Sequence, residues 1–189
     1  MKKKEAISYI LNRLKNELPP ELTYHGLWHT LDVVEQTRRI ALSEGVQDKE
    51  DLLLLETAAY FHDVGFTETY QNHEEKSCEI ARNKLPLFDY NPSQIRAICS
   101  IIMATKIPQT PLNHLSEILC DADLDYLGRD DFFTIGQRLY QELLQKNIIQ
   151  NEDQWNKIQI DFLGKHLYFT ETNKQSRNPR KLENIKTIK

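Results

Sequence analysis

Apolar residues recur along this chain at the three- and four-residue spacing of amphipathic helices, and strand-like alternation is scarce. Ile7, Ile10, Leu11 and Leu14 form one face of a first helix. It must end by Pro19-Pro20, because proline removes a backbone donor and disfavours helix in the residue before it. The pattern predicts a second helix over 29–43, with Leu31, Val33, Val34, Thr37, Ile40 and Ala41 available for burial and Gly45 just past its end. A third, over 49–64, is apolar on nearly every side toward its end, which marks it as the central helix. A polar loop is expected over 65–72, then helices over 73–85 and 93–104, stopped by Pro86 and started by Pro92-Ser93 respectively. Pro108 and Pro111 hold a connector open before helices over 115–127, 130–148 and 153–166. Six glycines leave little material for tight hairpins. The fold class implied is all-α, a compact single-domain bundle of about eight helices.

Composition narrows the class of molecule. A chain of 189 residues with 40% hydrophobic and 28% charged residues is a globular protein with one sizeable core. Its net charge of −4 does not suit bulk electrostatic binding of nucleic acid or a membrane, although a metal can supply positive charge locally. No apolar run reaches the ~18 residues of a membrane span, and the basic start leads into an amphipathic segment, so the expected location is cytoplasmic. Cys78, Cys99 and Cys120 are far apart with no CxxC, and fit reduced core thiols.

The final stretch, 171–189, holds six basic residues against two acidic ones. It reads either as a terminal helix docking Leu182, Ile185 and Ile188, or as a binder of nucleic acid or acidic lipid. The domain organisation expected is 1–22 as an N-terminal helix and linker, 23–170 as the core, and 171–189 as this basic segment, docked as a helix.

The residues that carry chemistry are Tyr24-His25-Gly26-Leu27-Trp28-His29, then His62-Asp63, then Asp121-Ala122-Asp123. A divalent metal of borderline hardness takes a mixture of imidazole nitrogen and carboxylate oxygen. His62 and Asp63 sit side by side at the end of an apolar helix, where two ionisable groups need a partner because burying an unpaired charge costs several kcal/mol.

This ordered pattern of a histidine, then His-Asp, then a distant aspartate resembles the HD superfamily, and 59–65 (AYFHDVG) is similar to its apolar-His-Asp-Ile/Val-Gly signature. The resemblance implies an HD-type hydrolase core and a metal on His29, His62, Asp63 and Asp123, with Asp121 as the fallback for the last. It implies hydrolysis of a phosphate ester, most often a nucleotide mono- or diester, by water activated at one divalent ion of Mn, Fe, Co, Ni, Zn or Mg. A second ion could be shared through Asp63 with help from His73. Two relatives of other classes are a nucleotide sensor that keeps the metal without turnover, and a di-iron oxygenase; no histidine near Lys106 serves the latter.

Residues 24–33 are also similar to the Tyr-His-Asn-x-x-His-x-x-Asp-Val segment of class I cyclic-nucleotide phosphodiesterases, which implies His29 as ligand and His25 as general acid. The alternative for His25 is a helix-start contact to backbone. Phe66 stands where relatives place a further histidine, lysine or glutamate, so the substrate within the class stays open. His73 begins the next expected helix, where the resemblance implies a histidine for a second metal or the substrate phosphate, while Glu74 and Glu75 suit the positive end of that helix. Lys106 and Arg129 either contact the phosphate or play helix-end and surface roles. His114 and His166 are expected to be structural, and Trp28 and Trp155 core or rim aromatics.

Overall fold

The computed structural model describes residues 1–188, and among them it is all-α, with ten α-helices, three short 3-10 turns and no strand. The helices are α1 (Lys3–Glu17), α2 (Leu27–Ser43), α3 (Lys49–Phe61), α4 (His73–Lys84), α5 (Pro92–Ala104), α6 (His114–Asp123), α7 (Phe132–Gln145), α8 (Glu152–Lys165), α9 (Glu171–Ser176) and α10 (Asn178–Thr187). Helix α3 is the centre, packing on α1, α2, α5 and α6, and its last eight residues are buried except Glu56. Its start is set by Asp48, whose side chain accepts from the N–H groups of Glu50 and Asp51, a cap that contributes about 1 kcal/mol. Asn91 and Gln94 cap the start of α5 reciprocally, with Pro92 at its first position.

Two apolar clusters divide the interior. The larger joins α1 to α6; the smaller gathers Tyr24, Leu124, Leu127, Phe132, Ile135 and Leu163 under α7 and α8.

Four expectations need correction. The third helix ends at Phe61, so His62 and Asp63 lie at its terminus, and the expected polar loop opens with a 3-10 turn, Val64–Thr67, in which Val64, Gly65 and Phe66 are buried. The cause is a close backbone crossing. A Cβ on Gly65 would lie 2.0 Å from the carbonyl oxygen of His73, and the Gly65 N–H donates to Ser77 Oγ at 2.8 Å. The helix expected over 115–127 stops at Asp123, and a 3-10 turn, Asp125–Gly128, follows. The turn carries the wholly buried Asp125 into the guanidinium groups of Arg39 and Arg177. The basic tail forms two helices, broken at Arg177 where its carbonyl packs against Gly128 and Pro179 starts α10. Finally, Leu182 is exposed, while Lys181 and Asn184 are buried instead. Lys181 Nζ donates to the His166 carbonyl, and Asn184 Nδ2 to that of Leu127 at 3.0 Å, so polar bonds as well as Ile185 and Ile188 dock this helix.

Aspartates on either side of Asp123 hold the tail. Asp121 accepts from the N–H groups of Phe169 and Thr170, both at 2.9 Å, and from Thr170 Oγ1 at 2.6 Å. Asp125 accepts from Arg39 at 2.6 Å, Arg177 Nε at 2.9 Å and Asn173 Nδ2 at 3.1 Å.

Candidate metal centre

Packing of α2 against α3 and α6 brings three helix ends together. His29 stands in the first turn of α2, His62 and Asp63 close α3, and Asp123 is the last residue of α6. His29 Nε2 lies 3.1 Å from Asp123 Oδ1 and 3.4 Å from Asp63 Oδ2; His62 Nε2 lies 3.6 Å and 3.3 Å from the same two oxygens. Ligands bound about 2.1 Å from an ion stand roughly 3.0 Å apart at octahedral angles and roughly 3.5 Å at tetrahedral ones. The four histidine–aspartate separations fall close to that range, and His29, His62 and Asp123 bring ligand atoms within 4.8 Å of one another. Two of the donor atoms, His62 Nε2 and Asp63 Oδ2, are buried without a hydrogen-bond partner, which is expensive unless a cation satisfies them. His62 Nδ1 donates to the Ala59 carbonyl at 2.8 Å, so the Nε2 lone pair is the one left facing the site. The residues fit a divalent cation.

Burial works against charge on this cluster, yet mutual attraction outweighs it. Asp63 and Asp123 hold His62 well above the ordinary imidazole range. The neighbouring histidines hold Asp63 well below the usual carboxylate range, and Asp123 down at about 2. Such a cluster keeps its carboxylates ionised, and a cation can take the place of the histidine protons.

The second oxygen of Asp63 faces the other way. Asp63 Oδ1 lies 3.4 Å from His73 Nε2, which is also 3.4 Å from Glu74 Oε1. Glu74, read from sequence as a helix-start residue, is buried and lines the same cavity. Phe66 fills the space between two imidazoles, its ring centroid 4.2 Å from His25 and 3.9 Å from His73. The residue that marked a departure from relatives thus fixes the planes of both rings.

His25 sits just before α2 and reaches the cavity. Its Nδ1 is 2.5 Å from Oε1 of Glu142, a wholly buried carboxylate on α7. Glu142 Oε2 also accepts the N–H groups of Tyr24 and His25 at 2.9 and 3.0 Å, and Tyr70 donates to Oε1 at 3.2 Å. Burial resists ionisation of Glu142, but His25 and the two N–H groups overcome it and hold the carboxyl below its usual range. Sequence reasoning missed Glu142. The available signal was its register: Ile135, Leu139 and Glu142 share one helical face, so a carboxylate occupied a core-facing position.

The remaining expected residues are placed elsewhere. Lys106 is ion-paired with Glu75 and half-exposed; Arg129 is held by Asp32 at 2.8 Å and Asp131 at 2.5 Å; neither lines the cavity. Asp121 is engaged by the tail, leaving Asp123 as the aspartate beside the histidines. His114 pairs with Glu117 on the surface, His166 is buried in contact with Lys181, and Trp28 stacks under Arg138. Trp155 is buried in the cavity wall.

Fold and site together define an all-α protein whose mixed histidine and carboxylate cluster suits a divalent metal. The HD domain family model matches residues 27–125, from the start of α2 to just beyond Asp123, and the chain belongs to that family. Neither a curated protein nor a solved structure matches it. Members of the family form a superfamily of metal-dependent phosphohydrolases. Among the described residues no helix is long and apolar enough to cross a membrane.

Proposed function

We propose that this protein is a metal-dependent phosphohydrolase that cleaves a phosphate ester with water, using His29, His62, Asp63 and Asp123 to hold the metal. The observation that carries the reading is the four histidine–aspartate separations of 3.1 to 3.6 Å, with His62 Nε2 and Asp63 Oδ2 buried and without a hydrogen-bond partner, beside a cavity large enough for a ligand. A bound divalent cation would supply positive charge for the phosphoryl oxygens and acidify water for attack on phosphorus. That charge matters here, because among the described residues no lysine or arginine lines the cavity.

The protein's own groups supply the rest. Glu142 fixes His25 through Nδ1, which directs Nε2 to the cavity. His25 delivers its proton to the leaving oxygen. Phe66 keeps the His25 and His73 rings in register and excludes water from their faces. His73 orients a phosphoryl oxygen, or with Asp63 Oδ1 and Glu74 holds a second cation.

The test is release of p-nitrophenol from bis-p-nitrophenyl phosphate with added Mn²⁺, comparing wild type with His62→Ala. Metal-dependent release by wild type alone is the expected result. Equal release by both proteins would show that the metal cluster is not the reactive site.

A further inference from the structure

The cavity beside the metal cluster is chemically lopsided. Its polar end holds His25, Asp63, His73, Glu74 and Asp123, and its remaining walls are largely aliphatic and aromatic, among them Leu127, Phe132, Leu139, Leu143, Trp155 and Leu163. The volume is about 260 Å³, and three wall residues, Ile107, Ile158 and Phe162, also line an adjoining groove of about 690 Å³. That groove continues the apolar surface through Pro108, Leu167 and Phe169, with Lys157, Asp161 and Lys165 at its sides, the last two ion-paired at 2.7 Å. Ile107, Ile158 and Leu167 are 53%, 44% and 70% exposed, so an apolar path runs from the metal-binding side chains to solvent.

We propose that the organic group of the substrate is an apolar, elongated chain, alkyl or aryl, lying along this path with its phosphate at the metal cluster. The proposal rests on the phosphohydrolase reading for the phosphate and on the cavity walls for the chain. Two physical arguments favour it over a nucleotide. A base edge and a ribose present many hydrogen-bonding groups that lose water on entry, and the apolar walls offer few replacements beyond the Gln159 amide and tyrosine hydroxyls. A polyphosphate would need cationic side chains to neutralise its charge, whereas the charged residues lining the inner cavity are carboxylates and histidines. A chain that carries one phosphate places its charge at the cluster and its carbon atoms against the walls.

The experiment is a binding series of alkylphosphonates, methyl to octyl, measured by calorimetry on the Mn²⁺-loaded protein, because the carbon–phosphorus bond resists hydrolysis. Affinity is expected to rise about fourfold per methylene, the gain of burying ~0.8 kcal/mol of apolar surface each time. Ile158→Lys, at a partly exposed position tolerant of replacement, should cut the octyl-to-methyl affinity ratio at least tenfold. In parallel, octyl p-nitrophenyl phosphate and thymidine 5′-p-nitrophenyl phosphate are compared as substrates. A flat series, or a higher kcat/KM for the thymidine ester, overturns the proposal while leaving phosphohydrolase activity standing. A rising series abolished by Ile158→Lys, with no hydrolysis of either ester, supports the apolar path and removes the phosphohydrolase reading.

Discussion

Oε1 of Glu142 lies 2.5 Å from Nδ1 of His25, although 117 positions separate the two residues. The contact makes a buried glutamate of α7 the group that sets the tautomer and tilt of a cavity imidazole. Glu142→Gln keeps the shape but loses the charge, and should lower kcat by roughly ten- to a hundredfold with KM little changed. His25→Asn should lower kcat by about a hundredfold or more. Steady-state kinetics on the active ester check both. A Glu142→Gln effect confined to KM would assign the pair to binding instead.

Metal binding should stabilise the fold, since the loaded site exists only in the native state. At an ion concentration 100 times the dissociation constant the gain is about 2.7 kcal/mol, or roughly 5–10 °C in Tm for a chain of this size. Asp63→Asn, which removes the carboxylate lying 3.3 to 3.4 Å from His29, His62 and His73, should abolish most of that shift. Thermal melts with and without Mn²⁺ read this directly, and an undiminished shift in the variant would place the ion elsewhere.

Phe66 separates packing from positioning. Phe66→Leu retains a large apolar side chain and should cost less than about 1.5 kcal/mol of stability. It removes both ring contacts, at 4.2 and 3.9 Å, so kcat should fall several-fold or more. Urea unfolding and kinetics on the same preparation decide whether the two effects part company.

His166 should make the fold acid-sensitive. Burial first, then the neighbouring Lys181 charge, push its imidazole down to about 3, below an unfolded value of ~6.5. Tyr168 and Phe162 pack on its faces and offer no compensating negative charge. The neutral form is the one the fold favours, so its stabilising effect is complete above about pH 6.5 and is lost as pH falls toward 3. By pH 5 that loss amounts to roughly 2 kcal/mol. Comparing urea midpoints at pH 7 and pH 5, His166→Gln should lose less stability than wild type; parallel losses would refute the assignment.

The helix-bearing pattern and the His62-Asp63 pair were legible because both are local. Ala58, Ala59, Tyr60 and Phe61 announce a buried helix end within one turn of His62 and Asp63. Glu142, Glu74 and Phe66 were not legible as site residues, because their roles depend on which distant side chain they meet. A carboxylate at a helix start is equally good helix design, and Glu74 became a cavity residue only through the tight crossing of Gly65 on His73. Lys106 and Arg129 illustrate the converse. Their charges suggested a phosphate contact, but Glu75, Asp32 and Asp131 lie closer at hand. The break at Leu124 was hidden for a similar reason, since the attraction of Asp125 for Arg39 and Arg177 spans the whole fold.

Asp123 stands between two carboxylates that grip the chain from Phe169 to Arg177. An ion whose binding tightened that grip would in turn be held less well whenever the tail loosened, by the same factor, because coupling between two sites on one molecule is reciprocal. The chain's far end and the cluster thus meet on one short stretch, where three alternate aspartates, Asp121, Asp123 and Asp125, face tail, histidines and tail in turn.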